Sequence, residues 1–146
     1  MESENKLRFF KNAKNNFCVS RFLTKIKNRE SRALISKLRL GVLPLEIEKG
    51  RRLKPKPARE TRYCKLCNSG KIEDETHFLF ECQSLSNVRT AHISALLGSL
   101  PTLENLDNTQ RLNLLYFSEK TPTTTLNHAA SMLVELFKYR DFLIDR

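Results

Sequence analysis

The chain has 146 residues, of which 40% are hydrophobic and none is tryptophan, and its formal net charge is +10. A chain of this size and composition can bury only a modest core, so we expect one domain, or one small domain with arms. It lacks a long apolar run and begins with polar and acidic residues. These features argue against a membrane span and a signal peptide, and they predict an intracellular protein that is nuclear, cytoplasmic or both.

The positive charge is concentrated in the first part of the chain. Residues 1–62 contain 18 Lys and Arg against 6 Asp and Glu, whereas residues 63–146 contain 8 against 10. The first segment therefore carries +12 and the second −2. Such asymmetry indicates a polyanionic partner, and without a lipid anchor a nucleic acid is a better candidate than a membrane.

Residues 1–49 are predicted to form a basic helical region. The hydrophobic periodicity over residues 11–40 predicts helix with a break near Lys27, and Asn28 is placed to cap a second helix that ends at Gly41. The predicted basic face contains Lys11, Lys14, Arg21, Lys25, Arg29, Arg32 and Arg39, and the apolar face contains Leu23, Leu34, Ile35 and Leu38. A basic helix face is commonly just solvated, so this pattern alone leaves solvent exposure and nucleic-acid contact both open.

Residues 50–62 form a basic linker that contains two prolines. Alternating prolines favour extended, polyproline-like backbone and exclude helix. An extended arm that carries Arg51, Arg52, Lys54, Lys56 and Arg59 is suited to contacts with phosphates. A nuclear import signal and a simple connecting segment are the alternatives.

Residues 63–83 contain the pattern Cys-x2-Cys-x9-His-x4-Cys. This spacing predicts one zinc site with Cys64, Cys67, His77 and Cys82 as ligands, because a Cys-x2-Cys turn lets two thiolates reach one cation. Turn residues at 68–70 predict a β-knuckle between short strands at 62–64 and 71–72, and the acidic residues from position 73 predict a helix start. Five residues of α-helix rotate a side chain by about 140°, so Cys82 is expected at the frayed helix end or just beyond it.

Three alternatives to this zinc site are a chance cysteine pair, a redox dithiol and a histidine that simply packs in the core. The redox interpretation fits poorly, since thioredoxin-like motifs lie near a βαβ pattern. The zinc deaminase signature is excluded because its His-x-Glu precedes the cysteine pair, whereas His77 follows it. Cys18 lies outside the ligand set and is expected to be buried.

The segment from Cys64 to Cys67, followed by the run from Glu75 to Cys82, resembles the zinc-binding Cys-Cys-His-Cys segment downstream of the polymerase domain in non-LTR (LINE-type) retrotransposon reverse transcriptases. Residues 38–45 and 59–62 resemble the segment upstream of it, so the resemblance covers residues 31–89. It implies that the family's four ligands are Cys64, Cys67, His77 and Cys82. It also implies that the chain corresponds only to the region downstream of the polymerase: a truncated element, a gene fragment or a domesticated module.

Residues 84–146 are predicted to form a helical region. Ser84 is expected to cap a helix that runs to about Leu97 and ends at Gly98, with His92 packed on its apolar side. A further helical stretch over 102–117 contains Asp107 and Gln110 as a capping pair. Pro122 is expected to open the longest helix. The apolar side of that helix is predicted to contain Leu126, Ala130, Leu133, Phe137 and Ile144.

The sequence thus predicts a mainly α fold with a small β-knuckle zinc site. Four protein ligands leave a zinc ion no open position, and no catalytic motif is visible, so we expect no enzyme. The first functional hypothesis is a zinc-stabilised module that binds RNA or DNA with low sequence specificity. The expected contact residues are Arg29, Arg32, Arg39, Arg51, Arg52, Lys54, Lys56, Arg59, Arg62, Tyr63 and Lys65. The alternatives are a protein-interaction module that uses the C-terminal helices and a non-functional retroelement fragment.

Overall fold

Helices make up most of the computed structural model, which describes residues 18–146, so the expectations for Lys11 and Lys14 lie outside the described residues. The α-helices are α1 (Arg21–Lys25), α2 (Arg29–Leu40), α3 (Glu46–Arg52), α4 (Ser86–Ser99), α5 (Asn108–Leu112) and α6 (Thr123–Ile144). Short 3-10 turns span Arg59–Thr61, Gln83–Leu85 and Pro101–Asn105, and π-helical turns span His77–Glu81 and Asn113–Phe117. The prediction of a mainly helical protein is confirmed.

Helix α6 is the element on which the core is built, because it packs against both α4 and α2. Its buried face contains Leu126, Ala129, Ala130, Met132, Leu133, Leu136 and Phe137. The predicted apolar side is therefore confirmed for four of its five members, but Ile144 is 40% exposed since the last turn extends beyond the core. Pro122 is the N-cap residue of α6 instead of its first helical residue.

Local capping chemistry fixes the ends of several helices as the sequence predicts. The side chain of Asn28 accepts a hydrogen bond from the backbone N–H of Ser31 at 2.8 Å, and Gly41 ends α2 in the left-handed conformation with φ of 66°. Asp107 and Gln110 form the predicted capping box at the start of α5. These three features depend on residues close in sequence, so periodicity and cap preferences are enough to find them.

Two expected ends of α4 are wrong. Ser84 precedes the helix and donates its hydroxyl to the carbonyl of Leu66 at 2.6 Å, while the 3-10 turn at Gln83–Leu85 leads into the helix. Gly98 lies inside the helix, which continues to Ser99. A glycine near a helix end need not terminate it when its backbone stays in the right-handed region.

The basic linker starts later than predicted. Helix α3 extends through Gly50, Arg51 and Arg52, so extended backbone begins only at Leu53. The reason is that a proline restricts itself and the residue immediately before it, and the first proline of this segment is Pro55. Within the part expected to be an arm, Arg59–Thr61 also forms a 3-10 turn.

The predicted β-knuckle is reduced to one antiparallel bridge between Tyr63 and Ile72. Two backbone hydrogen bonds frame this bridge: Cys64 N–H to Lys71 O at 2.9 Å, and Glu73 N–H to Arg62 O at 3.1 Å. Residues 18–146 contain no longer strand. The turn is present, but the chain leaves the bridge towards the 3-10 turn at Arg59–Thr61 on one side and the π-helical turn at His77–Glu81 on the other. None of the helices described here has the length and hydropathy needed to cross a bilayer.

Candidate metal centre

Cys64, Cys67, His77 and Cys82 converge on one point, and their four potential ligand atoms all lie within 4.8 Å of one another. The Sγ atoms of Cys64 and Cys82 are 3.9 Å apart, and the Sγ of Cys67 is 3.4 Å from Nε2 of His77. Cys64, His77 and Cys82 are buried and Cys67 is half-buried. The four residues are therefore close enough to hold a metal ion.

The turn between Cys64 and Ile72 presents the first two thiols from one side. The bridge hydrogen bond from Cys64 N–H to Lys71 O closes this turn, and Gly70 adopts φ of 68°, which a residue with a Cβ rarely adopts. The hydroxyl of Ser69 lies 3.1 Å from the Sγ of Cys67. The loop geometry thus fixes the position of Cys67, although its side chain is the most solvent-accessible of the four.

The other two ligands flank a π-helical turn. Asp74 precedes this turn, and its carboxylate accepts from His77 N–H at 2.8 Å. At the other end, Cys82 N–H donates to His77 O at 2.8 Å. A π-helical hydrogen bond joins residues five apart, so residue 82 lies nearly above residue 77 where an α-helix would rotate it away. Cys82 is the C-cap residue, which confirms its predicted position at the helix end.

Hydrogen bonds within the cluster shift the pKa values of its members in opposite directions. The pKa of Cys64 rises to about 12 because its thiol is hydrogen-bonded to Cys82 and because it is buried. The same contact lowers the pKa of Cys82. The hydrogen bond that His77 makes to Cys64 raises the pKa of its imidazole to about 9. Burial opposes this rise, and the hydrogen bond to Cys67 adds to it. Without a metal these contacts therefore favour a protonated imidazole at His77, and metal binding would release that proton.

A second layer of polar groups surrounds the cluster. Nδ1 of His77 is buried and has no hydrogen-bond partner among residues 18–146, and Oε2 of Glu81 lies 3.7 Å away. Glu81 is held in turn by Lys71 at 3.2 Å and by Asn108 at 3.3 Å. Metal-ligating histidines commonly direct the second ring nitrogen at a carboxylate, so this arrangement suits Nε2 as the ligand atom.

Arg89 supports the end of the π-helical turn from α4. Its Nε donates to the carbonyl of Leu79 at 2.8 Å and its Nη2 to the carbonyl of Cys82 at 3.0 Å. These carbonyls lie at the end of a helical turn, where acceptors lack intrahelical partners. The π-turn is also packed on α6, because the ring centroids of Phe78 and Phe137 are 4.8 Å apart.

Two of the arginines predicted to contact nucleic acid are buried, which corrects their assignment to the surface. Arg39 is 5% exposed and donates to Tyr116 O at 2.7 Å and to Glu119 at 3.1 Å. Arg62 is equally buried and donates to Ile47 O at 2.9 Å. Both guanidinium groups are buried and donate to backbone carbonyls, so neither is available to a phosphate.

The other predicted contact residues keep varying degrees of exposure. Exposed residues are Arg29, Arg52, Lys54, Lys56, Tyr63 and Lys65, whereas Arg32, Arg51 and Arg59 are half-buried. Arg51 and Arg52 both pair with Glu48, at 2.7 and 3.1 Å, and Lys65 pairs with Glu46 at 3.1 Å. Arg32 donates to the carbonyls of Ile26 and Lys27. Cys18 is exposed, which corrects the expectation that it is buried.

Sequence reasoning missed Glu73, which joins the segment before His77 to α6 through Arg140. Buried Glu73 accepts from Nε and Nη2 of Arg140 at 2.7 and 2.8 Å, and from the backbone N–H of Glu46 at 2.8 Å. One signal was available, because Arg140 follows Phe137 by three positions and so continues the apolar stripe of α6. His92, expected to pack on the apolar side of its helix, is half-buried, and its Nε2 lies 2.7 Å from Oε2 of Glu135.

Comparison of the chain with protein-family models, with curated proteins and with solved structures found no match. The resemblance to retrotransposon reverse transcriptases therefore stays a prediction from the ligand pattern.

Proposed function

We propose that the chain is a zinc-stabilised nucleic-acid-binding module in which Cys64, Cys67, His77 and Cys82 hold one zinc ion. Two thiolates that share a zinc ion at about 2.3 Å in a tetrahedral site lie about 3.8 Å apart. The 3.9 Å between the Sγ atoms of Cys64 and Cys82 fits that spacing. Three soft thiolates and one imidazole also form a donor set that suits zinc.

The zinc ion would act as a structural cross-link. Two of its donors come from the Cys64–Cys67 turn, and the other two come from the two ends of the π-helical turn. These two segments are ten residues apart in the chain (Cys67 to His77), and the ion would hold them together. All four positions are protein atoms, so the site leaves no vacant position for a substrate or water. For this reason we propose a binding role without catalysis.

The observation that carries the nucleic-acid proposal is the position of Tyr63 and Lys65 on either side of Cys64. Tyr63 is 51% exposed, although its neighbours Arg62 and Cys64 are both buried. It borders an open depression that Lys71 also lines. An aromatic face beside ammonium groups can stack on a base while the cations contact phosphates. Metal binding would therefore order this surface by fixing the backbone at Cys64.

Further exposed cations lie at the end of α3 and in the linker, before this surface in the chain. Arg52, Lys54 and Lys56 are exposed, and they precede the metal-ligand turn by about ten residues. Contacts of this kind recognise the phosphate backbone without reading base sequence, so we propose low sequence specificity for RNA or DNA. Arg39 and Arg62 have no place in this surface.

The test is a binding titration of the zinc-loaded chain with a fluorescent single-stranded oligonucleotide at two salt concentrations. Replacement of Arg52, Lys54 and Lys56 by Ala should weaken binding at low salt and lower the slope of log affinity against log salt by roughly 0.7 for each lost contact. The matched control replaces Lys120, Lys138 and Arg146 by Ala. These three residues are also exposed, and their replacement removes the same charge. Equal losses in the two triple variants would show a nonspecific charge effect and contradict the proposed surface.

A protein-interaction role is the second candidate, and the exposed end of α6 favours it. Phe142 is 53% exposed and stacks on Tyr139 with ring centroids 6.0 Å apart. Apolar docking of a partner helix would respond little to salt. If the chain fails to bind oligonucleotide at low salt, this candidate replaces the first.

We also propose that the module is related to the region downstream of the polymerase in LINE-type reverse transcriptases. The order and spacing of the four ligands support this relationship, as does their convergence within 4.8 Å. A non-functional fragment of such an element need not retain metal-dependent folding. Stoichiometric zinc together with a cooperative unfolding transition would therefore argue for a functional module.

A further inference from the structure

A cavity of about 150 Å³ lies behind the metal-ligand segment and has no part in the function proposed above. Its apolar walls come from Phe80, Ile93, Leu96, Leu97, Leu115 and Met132. These residues belong to the π-helical turns and to helices α4 and α6, which form the rigid core of the protein. The cavity is therefore preformed by packed elements.

The size and lining of the cavity define the body of a ligand that fits it. An engineered cavity of about 150 Å³ lined by Leu, Ile and Phe binds benzene. The apolar part of this cavity therefore fits a single ring. Leu96, Leu115 and Met132 are at most 2% exposed, whereas Ile93 is 39% exposed. Leu96, Leu115 and Met132 thus form the floor, and Ile93 lies at the opening.

Charged residues at the same cavity define the polar end of that ligand. Arg89 and Arg111 both contribute to its lining, together with Glu104. Each guanidinium uses Nε and Nη2 on backbone carbonyls: Arg89 on Leu79 and Cys82, and Arg111 on Leu103 and Glu104. These bonds fix the planes of both groups.

Neither guanidinium lies within salt-bridge distance of a carboxylate in residues 18–146, and neither Nη1 atom makes a hydrogen bond within that range. The cavity therefore combines an apolar interior with two oriented, half-buried cations that retain donors. Planar guanidinium groups match the geometry of carboxylates and phosphates. A carboxylate is the smaller of the two anions and carries less charge that must be removed from water.

We propose that this cavity binds a small carboxylate with an apolar body the size of a single ring, such as an aromatic monocarboxylate. The ring occupies the space above Leu96, Leu115 and Met132, and the carboxylate accepts hydrogen bonds from Arg89 and Arg111. A ligand in this position contacts Phe80, which does not line the depression beside Tyr63.

The first test compares benzoate with its neutral isostere benzamide by calorimetry and by NMR shifts of the metal-loaded full chain. We expect benzoate to bind at millimolar concentration and at least about tenfold more tightly than benzamide, because a hydrogen bond to a charged group contributes more than a neutral one. Biphenyl-4-carboxylate carries a second ring that exceeds the cavity, so it should bind no more tightly than benzoate. Equal affinities for benzoate and benzamide, or absence of binding by benzoate, would overturn the proposal.

A matched pair of variants locates the site. Ile93→Trp should fill the opening and abolish benzoate binding, whereas Ile144→Trp makes the same change at a position of equal exposure away from the cavity. Circular dichroism establishes that both variants remain folded. Loss of benzoate binding in both variants, or in neither, would contradict the location of the site. The comparison of benzoate and benzamide uses the wild-type chain, so it tests the proposal even if Ile93→Trp fails to fold.

Discussion

Arg140 and Glu73, 67 residues apart in sequence, form a bidentate ion pair in the core with N···O distances of 2.7 and 2.8 Å. The side chains are 2% and 1% exposed, so both charges are almost fully removed from water. Glu73 also accepts the backbone N–H of Glu46, and Ile47 N–H donates to Glu73 O at 3.2 Å. This pair therefore joins α6, the start of α3 and the segment that leads into the π-helical turn.

Removal of one partner of this pair should be far more costly than removal of both. Arg140→Met leaves the Glu73 carboxylate buried without a counter-ion, and we expect a loss of about 3–5 kcal/mol in the free energy of unfolding. The double variant Arg140→Met, Glu73→Gln should lose less than the single variant, since no charge is then stranded. Urea unfolding followed by circular dichroism measures both.

Lys138→Met is the control for the same helix. Lys138 pairs with Glu30 at 3.5 Å, and both side chains are more than half exposed. An exposed pair of this kind contributes at most about 1 kcal/mol. A similar loss of stability in Arg140→Met and Lys138→Met would show that the buried pair has no special role.

Two glycines in helices should respond to alanine in opposite ways. A Cβ at Gly50 would lie 2.6 Å from Cδ of buried Arg62, so Gly50→Ala should displace the guanidinium from the carbonyls of Ile47 and Pro57 and destabilise the protein. A Cβ at Gly98 has nothing within 4 Å. Gly98→Ala should therefore stabilise α4 by about 0.5–1 kcal/mol through helix propensity alone. Thermal unfolding of the two variants measures both changes in stability. Stabilisation by Gly50→Ala would refute the close packing of Arg62 against this glycine.

Loss of one ligand should remove both the metal and the local structure. Cys67→Ala is expected to abolish stoichiometric zinc, whose binding in structural sites contributes about 10–16 kcal/mol of apparent free energy. Elemental analysis of the purified protein measures the metal, and hydrogen exchange of residues 63–82 measures the structure. Cys18→Ala is the control, because Cys18 is exposed and outside the cluster. Full zinc content in Cys67→Ala would disprove the ligand assignment.

The metal-free protein should lose the contribution of His77 as the pH rises. The folded pKa of about 9 exceeds the ordinary value of 6.5, so the stabilisation is fully present below about pH 6.5 and disappears as the pH passes through 9. In the presence of a chelator, the stability difference between wild type and His77→Gln should shrink over this range. The stability of the zinc-loaded protein should instead fall as the pH drops below neutral, since protons compete with the metal for imidazole and thiolate. A difference that grows between pH 6.5 and 9 in the metal-free protein would contradict the imidazole–thiolate contacts.

Features encoded by near neighbours could be predicted from the sequence. The caps at Asn28 and Asp107 and the end of α2 at Gly41 follow from residues a few positions apart. The four converging ligands follow from the spacing pattern between residues 64 and 82. Arg39 and Arg62 are predicted on the surface because a basic residue is by default assigned there. Arg39 is instead buried by partners 77 and 80 residues away, and Arg62 is buried against Ile47. Periodicity also assumes an α-helical repeat, so it fails to anticipate the π-helical turns at His77 and Asn113.

The π-helical turn between His77 and Cys82 sets the length of chain that this site tolerates between its last two ligands. An α-helix would bring residues four apart to the same side, whereas the wider turn does so for residues five apart. After deletion of Phe80, His77 and Cys82 would be four positions apart, so the segment should form ordinary α-helix with both ligand atoms still on one side. The apolar contacts of the Phe80 side chain would be lost. An insertion at the same position offers no such alternative winding, so ligand spacing here is permissive towards shortening and strict towards lengthening.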